Sequence, residues 1–188
     1  MSYVVAIAGS PAYPSRTHSL LEYATQQLEQ QGIQSQIISV RDLPAEDLVF
    51  GRYDSANLNP AKHLIEQADG LIIATPVYKA SYTGVLKAFL DLLPQKALAE
   101  KVVLPIATGG TIAHLLTIDY ALKPVLSELG ARHFINSIYA LDKQIQRQED
   151  GSIQFDEDLQ GRLHNSLSEL AVAVKHKQPV SQEFALAS

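Results

Sequence analysis

Short apolar runs alternate with amphipathic helical patterns along most of this chain, and that alternation leaves few folds open. Four runs read as strands: Tyr3 to Ala8, Ser35 to Val40, Gly70 to Ala74 and Val102 to Ala107, with a weaker fifth at His133 to Ala140. They are short, mostly continuous rather than alternating, and rich in Val and Ile, as strands covered on both faces are. Helical spacing fills the gaps between them. Leu21, Tyr23, Ala24 and Leu28 form one apolar face, Leu86, Phe89, Leu90 and Leu93 a second, and Leu115, Leu122, Val125, Leu126 and Leu129 a third. A last helix is predicted from Glu157 to Lys175, with Leu159, Leu163, Leu167, Leu170 and Val174 on its apolar side. This order predicts βαβ units with right-handed crossovers: an α/β fold with a doubly wound five-stranded parallel sheet and helices on both faces.

Two segments interrupt the rhythm. Arg41 to Pro60 is polar and proline-bounded, and is expected to be a long functional or interface loop. Ile145 to Phe155, with Glu-Asp-Gly at its centre, is expected to be a hairpin with a type I′-like or bulged turn. Neither is long enough to be a domain, so 188 residues predict one domain over 1–188. A net charge of -5 lacks the basic footprint of a nucleic-acid binder. With no cysteine, thiol redox chemistry, disulfides and thiolate metal sites are excluded together. Redox work in this chain would need a bound organic cofactor. The six histidines show no HxH or HxxxH spacing, and no metal site is expected. The N-terminus enters a strand at once, and no apolar run approaches the about 18 residues of a membrane span, so a cytoplasmic protein is expected.

In open parallel sheets, ligands bind beyond the C-terminal ends of the strands. Three loops belong there: GSPAYPSRTHS, TPVYKASYTG and ATGGTIAH. The first is neither GxxxxGK[ST] nor GxGxxG, which disfavours a nucleoside triphosphate or the usual dinucleotide fingerprint. It is a strand-loop-helix that suits one terminal phosphate, with Ser10, Ser15, Thr17 and Ser19 as hydroxyl donors and Arg16 as the charge. The same residues would also serve as plain helix caps. In the loop after the fourth run, Gly109 and Gly110 permit close backbone approach, and Pro76 makes Thr75 extended.

With these loops in view, the sequence resembles the NAD(P)H-dependent FMN reductase family of flavodoxin-like proteins. It is most similar in pattern to the reductases that supply reduced flavin to alkanesulfonate monooxygenases. The matching stretches are GSP…SRTHSLLEYA, DGLIIATPVYKASYTGVLKAFLDLLP and KVVLPIATGGTIAHLLTIDYALKPVLSELGA. The resemblance implies a flavodoxin-like fold, FMN as substrate or loosely bound cofactor, and NADPH or NADH as electron donor. It also implies a homo-oligomer, dimer or tetramer, that passes reduced FMN to a partner monooxygenase in sulfonate-sulfur assimilation. By position it assigns Ser10, Ser15, Arg16, Thr17 and Ser19 to the FMN phosphate and Pro76, Val77, Tyr78 and Ser81 to the flavin ring. Thr108, Gly109, Gly110 and Thr111 would border the ring's other edge. The family's first loop commonly reads GSxRxxS; here the arginine position is Ala12, and Arg16 is the available substitute.

Hydride transfer needs no acid or base of its own, so no catalytic side chain is assigned. Lys87 and Asp91 are expected to form a surface pair, and His114 is given no role. Pro124 lacks the N–H that would bond the Tyr120 carbonyl, which predicts a kink or a π-bulge. The resemblance implies that such a bulge lies at a subunit contact beside the flavin, where Tyr120 would control flavin exchange. Two other functions fit the same loops: a flavoprotein that keeps FMN bound and reduces quinones or azo compounds, and a non-catalytic flavodoxin-like electron carrier.

Overall fold

The computed structural model describes residues 2–148 and 152–176. Its sheet runs in the order β2-β1-β3-β4-β5, all pairs parallel, with β6 also paired to β4. The strands are β1 (Tyr3–Ala8), β2 (Gln34–Ser39), β3 (Gly70–Pro76), β4 (Val102–Gly109), β5 (His133–Phe134) and β6 (Ile138–Leu141). This is the flavodoxin-like order, and it changes direction between β1 and β3.

Side-chain alternation in the three central strands divides the interior between two cores. Val4, Ala6, Ile72, Leu104 and Ile106 face α1 (Arg16–Gln30) and α6 (Glu157–Lys175), meeting Leu20, Ala24, Leu163 and Leu167. Val5, Ile7, Leu71, Ile73 and Val103 face the other way. There they meet α3 (Asn59–Gln67), α4 (Gly84–Leu90) and α5 (Lys123–Glu128) through Ile65, Phe89 and Leu126. Burial on both faces is why these strands read as continuous apolar runs. Where α6 crosses the start of β3, a Cβ on Gly70 would stand 2.8 Å from Val174 Cγ1, so only glycine lets the helix come this close.

The fifth strand position is filled by two short pieces, and β4 accounts for the break. Val103 O accepts from Ile135 N–H at 2.9 Å, so alternate β4 residues, Pro105 among them, point their backbone groups toward that side. Proline has no N–H to offer there. Pairing stops after Val103 and resumes at Ile106 with Ile138.

Two expectations need adjustment. Arg41 to Pro60 is not a plain loop: a 3-10 turn over Val40–Asp42, α2 (Ala45–Val49) and a second 3-10 turn over Ala56–Leu58 lead into α3. Asp47 organises this segment. Its carboxylate, 5% exposed, accepts from Ser55 Oγ at 2.6 Å and Asn57 Nδ2 at 3.2 Å, and those two hydrogen bonds lower its pKa. The helix expected to include Leu115 begins later, and Leu115 is exposed. A π-turn over Ile118–Leu122 precedes α5, with Lys123 N–H bonded back to Ile118 O, in line with the defect that Pro124 creates. The hairpin is present as β7 (Ile145–Arg147) antiparallel to β8 (Ile153–Phe155), and the Glu-Asp-Gly at its centre lies outside the described residues.

Candidate functional site

A cavity of about 430 Å³ opens above the C-terminal ends of β1, β3 and β4, at the change in strand order. Gly9, just past β1, donates its N–H to Ala74 O at 2.7 Å and joins the first loop to β3. A Cβ there would stand 2.9 Å from Leu86 Cδ2. The Thr83 hydroxyl donates to Gly9 O and also caps α4, tying the first loop to the second.

One end of the cavity is the start of α1. Ser15 is the cap: its backbone is extended and its Oγ accepts from His18 N–H at 3.1 Å. That bond uses an oxygen lone pair, so the Ser15 O–H proton remains available as a donor. The N–H groups of Arg16 and Thr17 have no partner among the described residues, as expected of a first helical turn. The Ser10 hydroxyl accepts from Ala12 N–H at 3.2 Å, and Ser19 Oγ donates to Ser15 O at 3.2 Å, so both hold the loop's shape. Thr17 Oγ1 lies 3.1 Å from Thr108 Oγ1, a buried contact that fixes α1 to the end of β4. Capping and ligand-facing roles therefore coexist in this loop.

The other end is made of backbone and apolar surface. Val77 N–H donates to Thr108 O at 2.8 Å, which places the second and third loops side by side. Beyond it, Tyr78 and Ser81 exchange backbone hydrogen bonds at 2.8 and 3.1 Å around a two-residue tip. Both tip residues are left-handed, Lys79 at φ 50 and Ala80 at φ 64, which is costly for residues with a Cβ. Thr117 Oγ1 donates to Ala80 O at 3.2 Å and braces the tip. At Gly109 a Cβ would fall 2.2 Å from Tyr139 Oη, so glycine is required there. The Tyr139 phenol donates to Thr111 O at 2.8 Å. Burial, and secondarily the nearby Asp142 carboxylate, raises its pKa and keeps it a donor.

Of the residues singled out in the sequence, Ser10, Ser15, Arg16, Thr17, Ser19, Pro76, Val77, Tyr78, Thr108, Gly109 and Gly110 line this cavity. Ser81 and Thr111 do not: Ser81 closes the tip, and the Thr111 hydroxyl caps the next turn through Ala113 N–H at 3.3 Å. Tyr120 also stands outside the lining, 79% exposed on the π-turn. Sequence reasoning missed the far wall, which consists of Asp142, Ile145, Arg147 and Ile153. The hairpin was legible, and an arginine on one of its strands was the available signal that it faces an anionic ligand. Among the described residues, no group of three or more His, Asp or Glu side chains could hold a metal ion.

The far wall is held from behind. Buried Gln144 donates to Asp156 Oδ2 at 3.0 Å and Asp158 Oδ2 at 3.2 Å, and its Oε1 accepts from Leu141 N–H at 2.9 Å. Arg162 donates to Asp158 at 3.0 Å and to Tyr139 O at 2.9 Å. The Arg162 guanidinium, with help from Gln144, holds the Asp158 carboxyl below its usual range.

Strand order and cavity position define a flavodoxin-like α/β protein whose ligand site sits at the β1/β3 switch. Residues 2–146 match the family model of the NADPH-dependent FMN reductases, and the chain belongs to that family. A relative from Pseudomonas putida, FMN reductase (NADPH), is 50% identical over 180 residues, covering 95% of this chain and 91% of its own. An Escherichia coli protein of the same name is 49% identical over 164 residues, covering 87% and 85%. The apo crystal structure of an NADH:FMN oxidoreductase (EMOB) superimposes with a TM-score of 0.82 at 42% identity, covering 92% of this chain and 90% of that one. The chain is thus an oxidoreductase, and its family pairs FMN with a reduced nicotinamide nucleotide.

The cavity fits FMN on its own features. Its two ends differ in the way the nucleotide's ends differ. Unpartnered N–H groups, a free hydroxyl proton and Arg16 suit a phosphate, while Val77, Tyr78 and the glycine backbone suit a flat ring.

Proposed function

We propose that this protein reduces FMN with NADPH, holding the flavin nucleotide in the cavity above β1, β3 and β4. The observation that carries the reading is the cavity's polarity, cationic and donor-rich at the start of α1, and lined at the other end by Val77, Tyr78 and the side-chain-free Gly109 and Gly110. In this assignment the Arg16 and Thr17 N–H groups, the Ser15 hydroxyl and the Arg16 guanidinium hold the phosphate. Ser10, Ser19 and Thr108 keep that loop in shape. Pro76, Val77, Tyr78 and the two glycines hold the ring, with Ser81 and Thr111 fixing the loops that carry them. FMN when bound supplies the two-electron acceptor, with NADPH giving up a hydride and water supplying the accompanying proton. The chain's own part is to bind, orient and exclude water on the side of the far wall.

In this reading FMN is an exchanging substrate and not a fixture. Reduced FMN then leaves for a separate flavin-dependent monooxygenase, of the sulfonate-sulfur kind that the resemblance suggests. The 188 residues act as one domain in the cytoplasm, and self-association into dimers or tetramers would use the exposed apolar group Ile112, Leu116 and Tyr120 on the π-turn and its approach. Tyr120 at such a contact would influence flavin exchange. The test is NADPH oxidation by the purified protein with and without added FMN. Protein that purifies nearly colourless and oxidises NADPH only when FMN is added supports the reading. Stoichiometric flavin retained through purification overturns the substrate role, and no FMN-dependent turnover overturns the activity.

A further inference from the structure

Among the residues lining the cavity, Arg16 and Arg147 are cations and Asp142 is an acid. A carboxylate is out of place in a cavity that otherwise suits an anion. Asp142 Oδ2 lies 3.7 Å from Arg16 Nη1, with the two side chains 42% and 54% exposed. So long and wet an ion pair adds little to stability. Yet the backbone that presents Asp142 is well fixed. It opens the 3-10 turn Asp142–Gln144, whose buried glutamine is clamped to Asp156, Asp158 and Leu141. The carboxylate also stands beside the third loop, 3.7 Å from where a Cβ on Gly110 would be. The fold therefore holds a negative charge against the arginine at the start of α1.

We propose that Asp142 sets the affinity for the phosphorylated ligand: its carboxylate engages Arg16 in the free protein and competes with the incoming phosphate ester for that guanidinium. This rests on the cavity being the FMN site. A phosphate monoester carries about -1.5 to -2 charge at neutral pH, so a neighbouring carboxylate both repels it and takes up donors it would use. In a protein that retains its nucleotide such an acid would be a defect. In one that turns the nucleotide over, it speeds release, and release rates are where affinity is mostly adjusted. The opposite role, Asp142 as a brace that aims Arg16 at the phosphate, predicts a change of opposite sign.

The test is fluorescence titration of FMN and riboflavin against the parent, Asp142→Asn, Asp142→Ser, Arg16→Gln and the Asp142→Asn/Arg16→Gln double variant. Both Asp142 variants should bind FMN roughly two- to fivefold more tightly at low ionic strength, the range for an exposed ion pair. The gain should shrink as salt is added, fall in the Arg16→Gln background, and be absent for riboflavin. Circular dichroism confirms that each variant is folded. FMN affinity unchanged or weakened in both Asp142 variants overturns the proposal while a parent preference for FMN over riboflavin leaves the FMN site standing. A parent that binds the two flavins equally overturns both.

Discussion

The two walls of the cavity are built in different ways. The α1 wall is local: Ser10 bonds Ala12, Ser15 caps His18 and Ser19 returns to Ser15, all within ten residues of chain. The far wall is remote. Asp142, Ile145, Arg147 and Ile153 are positioned by a hairpin whose anchor, Gln144, is clamped by the first turn of α6 and by Arg162. A local wall survives most changes elsewhere in the protein, whereas a remote one is only as sound as the packing behind it. In the proposed assignment the phosphate donors of α1 sit on the first, and Asp142, the charge proposed to moderate them, sits on the second.

The largest expected effect comes from the point where the remote parts press on the loops. Gly109→Ala forces a Cβ into the Tyr139 phenol, breaking its bond to Thr111 O or displacing the third loop. Urea unfolding should show a loss of about 2 to 4 kcal/mol, and FMN titration should show weakened binding. Tyr139→Phe in the same chain should recover part of the loss. A Gly109→Ala protein of parental stability would mean that the wall yields easily.

Gln144→Ala comes next, because it leaves the Asp156 and Asp158 carboxylates and the Leu141 N–H short of partners. A stability loss of about 1 to 3 kcal/mol is expected, with faster amide exchange in β7 and β8 but not in α1. Ser15→Ala should do the reverse, costing about 1 kcal/mol, exposing the first turn of α1 to exchange and leaving the hairpin protected. Equal spreading of both changes through the molecule would erase the distinction between the walls.

This difference also decided what could be read from the chain. The Ser15 helix cap and the π-turn announced by Pro124 depend on neighbours a few residues away, and their residue types carried the message. Thirteen of the lining residues come from three loops that the strand pattern alone had placed together. The far wall was illegible because Ile145 to Phe155 shows only that it is a hairpin; which face turns to the cavity is settled by Gln144 meeting Asp156 and Asp158. Likewise Asp47, Ser55 and Asn57 look like ordinary loop residues, and only their convergence makes Arg41 to Pro60 a folded segment. The strand break at Ile135 to Ser137 arises from a proline in another strand, information no local window contains.

The smallest expected effect is on pH. Asp158 has a lowered pKa in the folded protein, so the unfolded chain binds the extra proton first. Its contribution is complete above the unfolded carboxylate value of about 3.9 and is lost as pH falls through the lower folded one. Amide exchange at acid pH should therefore rise in the hairpin before it rises at the start of α1. A hairpin that stays as protected as α1 down through that range would show that the Arg162 contact does not hold the wall.

The interruption opposite Pro105 bears on how the molecule keeps company at high concentration. A parallel sheet ends in strands whose outer backbone groups invite another chain to pair, the first step toward aggregates. On one margin the sheet presents β5 and β6, segments of 2 and 4 residues that are out of line with each other, too short and too broken to template a neighbour. On the other it presents β2, where Gln34, Ser35 and Gln36 make a poor sticky surface. The proline that costs the sheet a continuous fifth strand thus also spoils a margin on which the protein would otherwise stack.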